Sequence, residues 1–151
     1  MNYQYRDCYV RHDGERLTVG NGRIERAFLI DRHGLTPLYV SDHAGTIWAR
    51  EEGVRRLNLP FECAAVEVCA REDDHFGLSE RFMAADLIWH GKGGETLVRT
   101  ITVYPDAPFI SMAMRVETIG AYRTDAAEVI QGGDENGAAA AKKAAWPDSI
   151  D

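Results

Sequence analysis

Short runs of alternating apolar and polar residues, cut by Gly, Asn, Asp and Pro, fill the chain up to about residue 120, and helix-period runs are nearly absent there. The first run, Tyr3 to Arg11, reaches Asp13-Gly14, and Arg16 to Val19 then meets Asn21-Gly22. Both dipeptides tolerate the positive φ that tight hairpin turns demand. Arg23 to Asp31 follows with Ile24, Phe28 and Ile30 on one face, and His33-Gly34 and Asp42-His43-Ala44-Gly45 bracket Leu35 to Val40. Thr46 to Arg50 is one more strand, after which Glu51 to Pro60 breaks the alternation and reads as a loop or a short helical turn.

Beyond that break the alternation returns: Ala64, Val66, Val68 and Ala70 oppose Cys63, Glu67 and Cys69. Arg81 to His90 sets Met83, Ala85, Leu87 and Trp89 against Phe82, Asp86 and His90, and Gly91-Lys92-Gly93-Gly94 turns the chain. Thr96 to Tyr104 and Phe109 to Thr118 are the last strands, with Ile110, Met112, Met114 and Val116 facing inward. They are joined by Pro105-Asp106-Ala107-Pro108, where two prolines stop a ladder. Roughly eight or nine strands in a row predict an all-β fold, an antiparallel β-sandwich spanning residues 1–120. Residues 121–151 are polar and Ala-rich with no apolar face, and predict a partly helical or disordered tail or a truncated continuation.

Composition changes this picture by exclusion. At 151 residues the chain suffices for one domain with a core and is too short for a (β/α)8 barrel of about 250 residues. A net charge of -7 without a Lys/Arg stripe argues against nucleic-acid binding. No apolar stretch approaches the ~20 residues of a spanning helix, so no membrane partner is expected. The opening MNYQYRDCYV is polar where a signal peptide is apolar, which reads as cytoplasmic. Cys8, Cys63 and Cys69 lack metal-ligand spacing and read as reduced thiols in or near the core, with Cys63 and Cys69 on one strand face. No cofactor is implied.

Candidate chemistry is sparse. Glu72-Asp73-Asp74-His75 has the residue types of an acid/base or metal cluster, but neighbours on a strand point to opposite faces, so a solvated turn is expected. The histidines show no HxxxH spacing, and GxSxG, GxxxxGK[ST] and GxGxxG motifs are absent. Trp89 falls in register with core positions. Trp48, beside the irregular segment, is a core or domain-interface residue or else a platform for a sugar ring, with Arg50 and Glu62 as partners for the hydroxyls.

Leu17-Thr18-Val19-Gly20-Asn21-Gly22-Arg23-Ile24-Glu25-Arg26-Ala27-Phe28, the strand Leu35 to Val40, and Thr100-Ile101-Thr102-Val103-Tyr104-Pro105 to Ile110 together resemble the N-terminal β-sandwich of large α-galactosidase-type glycoside hydrolases. That sandwich is of the galactose-mutarotase type. The resemblance implies a non-catalytic domain that shapes a sugar site or mediates assembly, homo-oligomers included. Its partner is a catalytic (β/α)8 barrel, in the same chain or another, whose aspartates do the chemistry. The paired carboxylates of such chemistry, about 5 Å apart, map onto no residue here. The family's sandwich is usually longer, which implies a truncated or split product. Three further readings stand beside this one: a free-standing carbohydrate-binding module, favoured by an exposed Trp48 beside Arg50, a small mutarotase-like epimerase, and a non-functional remnant that packs but binds nothing. The epimerase would need His90 or His75 to meet Glu67 or Glu80 in a pocket.

Overall fold

The computed structural model describes residues 1–50 and 57–118, of which only the backbone is described at Ala49 and Arg50. The expected boundary near 120 and the tail at 121–151 lie outside the described residues. Within them the chain is all strand and turn: β1 (Asn2–Tyr5), β2 (Cys8–Asp13), β3 (Arg16–Gly20), β4 (Glu25–Asp31), β5 (Gly34–Ser41), β6 (Ile47–Arg50), β7 (Leu57–Asn58), β8 (Cys63–Asp73), β9 (Phe82–Gly91), β10 (Thr96–Val103) and β11 (Ile110–Glu117). No helix among them is long and apolar enough to cross a membrane.

The strands form two antiparallel sheets. The first runs β1-β2-β3-β4-β5-β6 with β7 on the far end of β5, and the second runs β11-β10-β9-β8. Both are meanders, because each turn is too short for anything but a return to the neighbouring position. Their apolar faces share one core: Cys8, Val10, Leu17, Val19, Phe28, Ile30 and Leu35 from the first sheet against Met83, Ala85, Leu87, Trp89, Leu97, Ile101 and Val103 from the second. The expected two-residue alternation holds for Phe28, Ile30, Met83, Ala85, Leu87 and Trp89, the last fully buried. On the edge strand β11 only Ile110 and Met112 pack against the core, and Met114 and Val116, expected inward, are exposed.

Three departures from the sequence pattern have backbone causes. Tyr3 to Arg11 is two strands, since Arg6 adopts a φ of 56° and folds β1 back so that Tyr5 faces Cys8. Leu57 and Asn58, in the segment expected to be irregular, pair with Leu35 and Gly34 as β7. Bulges then shift the phase of other strands. On β8 the pairing steps from Cys63 to Ala65, so Cys63 turns into the core while Cys69 is exposed on the outer face, and the expected shared face is lost. On β5 the pairing steps over Leu38 beside Pro37, which has no N–H to give to a ladder.

Several side chains tie the layers together, Trp89 and Asn21 among them. The indole Nε1 of Trp89 donates to the Asp31 carbonyl at 2.8 Å. The fully buried amide of Asn21 does more: Nδ2 donates to the carbonyls of Tyr104 and Ala107 at 2.7 and 2.8 Å, and Oδ1 accepts from the amides of Arg23 and Ile24 at 2.8 and 3.0 Å. Its two donors and two lone pairs are thus all used. They join the β3–β4 turn of one sheet to the β10–β11 turn of the other.

Asn21→Ala strands these four backbone groups and is expected to destabilise the fold by about 3 kcal/mol, read as a lowered urea midpoint. Asn21→Asp, unable to donate to the two carbonyls, should cost at least as much. In the native protein a water-soluble thiol reagent should modify Cys69 alone, with Cys8 and Cys63 reacting only on unfolding. Burial, with Asp7 adding to it, pushes the Cys8 thiol up to about 12, so almost none is thiolate at neutral pH.

Candidate functional site

In a meander, alternate turns fall at the same end. The β1–β2, β3–β4 and β5–β6 turns therefore gather at one end of the first sheet, where the β10–β11 turn joins them through Asn21. A cleft of about 320 Å³ opens there, lined by Gly22 and Arg23 of one turn, Asp42, His43 and Ala44 of another, Trp48 of β6 and Pro108 of the second sheet.

Trp48 is half exposed, at 53%. Its position follows from a bulge: β5 pairs Val40 with Ala49 and then Ser41 with Ile47, so Trp48 is the extra residue, on the edge strand of the path. It is not a core residue.

Polar side chains of the cleft are held by the turns around it. Asp42 Oδ1 accepts from the amides of Ala44 and Thr46 at 3.0 and 2.9 Å. His43 Nε2 lies 2.6 Å from the Asn21 carbonyl, an acceptor only, so Nε2 carries the proton and Nδ1 is the acceptor of the neutral ring. Arg23 is exposed, 3.7 Å from Asp106 across the two turns.

Behind His43, on the outer face of the first sheet, the Glu25 carboxylate sits between two phenols. Tyr9 donates to Oε2 at 2.5 Å and Tyr39 to Oε1 at 2.7 Å. Tyr9 Oη also lies 3.4 Å from His43 Nε2, and the Arg11 guanidinium covers the Tyr9 ring at 4.1 Å. Gly20 makes this possible, because a Cβ there would stand 2.6 Å from the Tyr9 hydroxyl. Burial, then the hydrogen bond to Glu25, raises both phenols above their ordinary value, with Arg16 opposing the rise at Tyr39. With both oxygens engaged, Glu25 orients its neighbours rather than offering a free base.

Of the residues picked from sequence, Trp48 lines this cleft and Glu62 lines another. The second cleft, about 390 Å³, includes Arg32, His33, Asn58, Phe61 and Lys92, at the other end of β5. Eight residues of strand separate the two ends by roughly 25 Å. Glu62 is paired with Lys92 at 2.8 Å, and that ammonium holds its carboxyl below the usual range. Arg50 lies on β6 opposite Tyr39, with its side chain outside the described residues.

The acid/base alternatives are placed as well. His90 Nε2 does approach Glu67 Oε1, at 3.6 Å, but both side chains lie about half exposed on the outer face of the second sheet, where water competes for each. Asp73 and Asp74 cap the β8–β9 turn through the amides of Asp74, His75 and Gly77, as expected of a solvated turn. His75 and Phe76 there have φ of 52° and 62°, and Phe76 is fully exposed. No group of His, Cys, Asp and Glu among the described residues is arranged to hold a metal.

No protein-family model matches this chain, and no curated protein or solved structure matches it either.

The Glu25 cluster has a pH signature. Phenols raised in the folded state contribute stability that is complete below the ordinary value of 10.0 and is lost as pH rises above it. A phenolate absorbance titration should show Tyr9 and Tyr39 ionising after the exposed tyrosines. In Glu25→Gln both should ionise at lower pH, because the neutral amide no longer opposes the phenolate.

Proposed function

We propose that this chain is a non-catalytic β-sandwich domain that contacts carbohydrate through the end cleft at Trp48, in the accessory role expected of an N-terminal domain of an α-galactosidase-type glycoside hydrolase. The observation that carries the reading is the half-exposed indole of Trp48 in a cleft with Arg23, Asp42 and His43. A pyranose packs its C–H face on an aromatic ring while polar side chains take its hydroxyls, and a cleft of about 320 Å³ suits one ring. Donors and acceptors are both present, which a polyhydroxylated ligand needs. The resemblance of the Asn21-Gly22 and Tyr104-Pro105 segments to the hydrolase sandwich supports the same reading, since these two turns contribute Gly22, Arg23 and Pro108 to the cleft lining.

Among the described residues no pair of carboxylates at hydrolytic spacing is assembled around Trp48, and in this reading cleavage belongs to a partner barrel. The epimerase reading is set aside, because the His90–Glu67 pair is exposed on an open sheet face. Whether the sandwich serves a barrel or acts as a free-standing module depends on that partner, and the cleft serves either role.

Titrating the protein with galactosides, glucosides and their oligomers should give a saturable tryptophan fluorescence change. Trp48→Ala should abolish it and weaken binding about tenfold, the effect of losing one stacking contact. His43→Ala should weaken binding without removing the optical signal. A folded protein that responds to none of these sugars would overturn the proposal.

A further inference from the structure

A cavity of different chemistry from the end cleft lies between the sheets. Arg26 of β4 and Arg99 of β10 occupy positions that the alternation turns inward: Arg26 pairs with Val19 and Val40, and Arg99 with Leu87. With Phe28, Leu35, Pro37 and Met112 they line a cavity of about 290 Å³. The Arg26 guanidinium is set over the Phe28 ring at 5.2 Å, with Nη1 3.3 Å from the Met112 sulfur. Arg99 Nη1 has the Met114 sulfur at 3.9 Å, and its Nε is buried without a hydrogen-bond partner.

A thioether is a weak acceptor, and a guanidinium does not shed its proton in proteins. Arg99 is therefore a cation held among apolar side chains with a donor unused, a costly arrangement in the absence of an anion. Burial, with the like charge of Arg26 adding to it, depresses its proton affinity. The lining offers donors only at the guanidiniums, and its remaining walls are hydrocarbon and thioether. Such a site has nothing to satisfy the acceptor needs of sugar hydroxyls. It matches a carboxylate, whose two oxygens fit the guanidinium fork, carried on an apolar body. The volume is at the small end of ligand cavities, roughly 300–1,000 Å³.

We propose that the cavity between the sheets binds a small aliphatic or aromatic monocarboxylate, its carboxylate on Arg99 and its apolar body enclosed by Phe28, Leu35, Pro37 and Met112. Benzoate and hexanoate are the probes, benzamide and hexanamide their neutral counterparts, all at matched ionic strength. The acids should raise the thermal midpoint saturably and shift the Arg99 Nε–H and Met112 methyl resonances, and the amides should not. Arg99→Met, which replaces the cation with an apolar chain, should fold and bind the acids about tenfold more weakly or worse. Arg99→Lys keeps the charge but loses the fork, and should fall between the two. Equal binding of acid and amide, undiminished binding by Arg99→Met, or no saturable response would overturn the proposal. So would a response only to the peptide acetyl-Val-Glu-Val-amide, which would assign the cavity to a protein strand.

Discussion

One amide, that of Asn21, carries the junction on which the end of the molecule depends. Two meanders packed by apolar burial alone could slide or rotate, because hydrophobic contact is non-directional. Asn21 removes that freedom by bonding the turn of one sheet to the turn of the other with every hydrogen-bonding group it has. Its own carbonyl then receives His43, which in turn faces Tyr9, the phenol that donates to Glu25. The cleft at Trp48 is the space enclosed once these turns are fixed.

Much of the architecture was legible because a strand's side-chain period is two and short turns have a narrow chemistry. Met83, Ala85, Leu87 and Trp89 read as one buried face and are one, and the Asp13-Gly14 and Asn21-Gly22 turns fall where expected. Several departures sit at bulges, while Met114 and Val116, expected inward, are exposed on the edge strand β11. An extra residue in one strand leaves no mark on composition, yet it moved Cys63 inward and brought Trp48 to the surface of an edge strand. Arg6 is another case, since an arginine is a poor announcement of positive φ.

The cleft was only partly legible. Trp48 stood out by residue type, whereas Arg23, Asp42 and His43 read as ordinary turn residues, and Glu62 proved to belong to the opposite end of β5. Counting strand reversals would have placed all the odd turns at one end and found these partners. The Tyr9–Glu25–Tyr39 cluster was hidden because its members come from three strands, and its one local clue was a glycine whose purpose appears only when the phenol stands over it. Arg26 and Arg99 show the reverse: alternation turned them inward while their charge argued for the surface.

Within each sheet the path runs through neighbours in the chain, and the first sheet closes at Asn58 before the second opens at Cys63. As the polypeptide emerges during synthesis, the whole first meander can pair while the second is still unmade, at little loop-closure cost per step. Its inner face, with Val10, Leu17, Phe28 and Leu35, must then wait bare until Trp89 and Ile101 arrive. The interval of greatest risk in the life of this molecule is set by sequence order, and it ends when Tyr104 and Ala107 leave the ribosome and reach the amide prepared for them at Asn21.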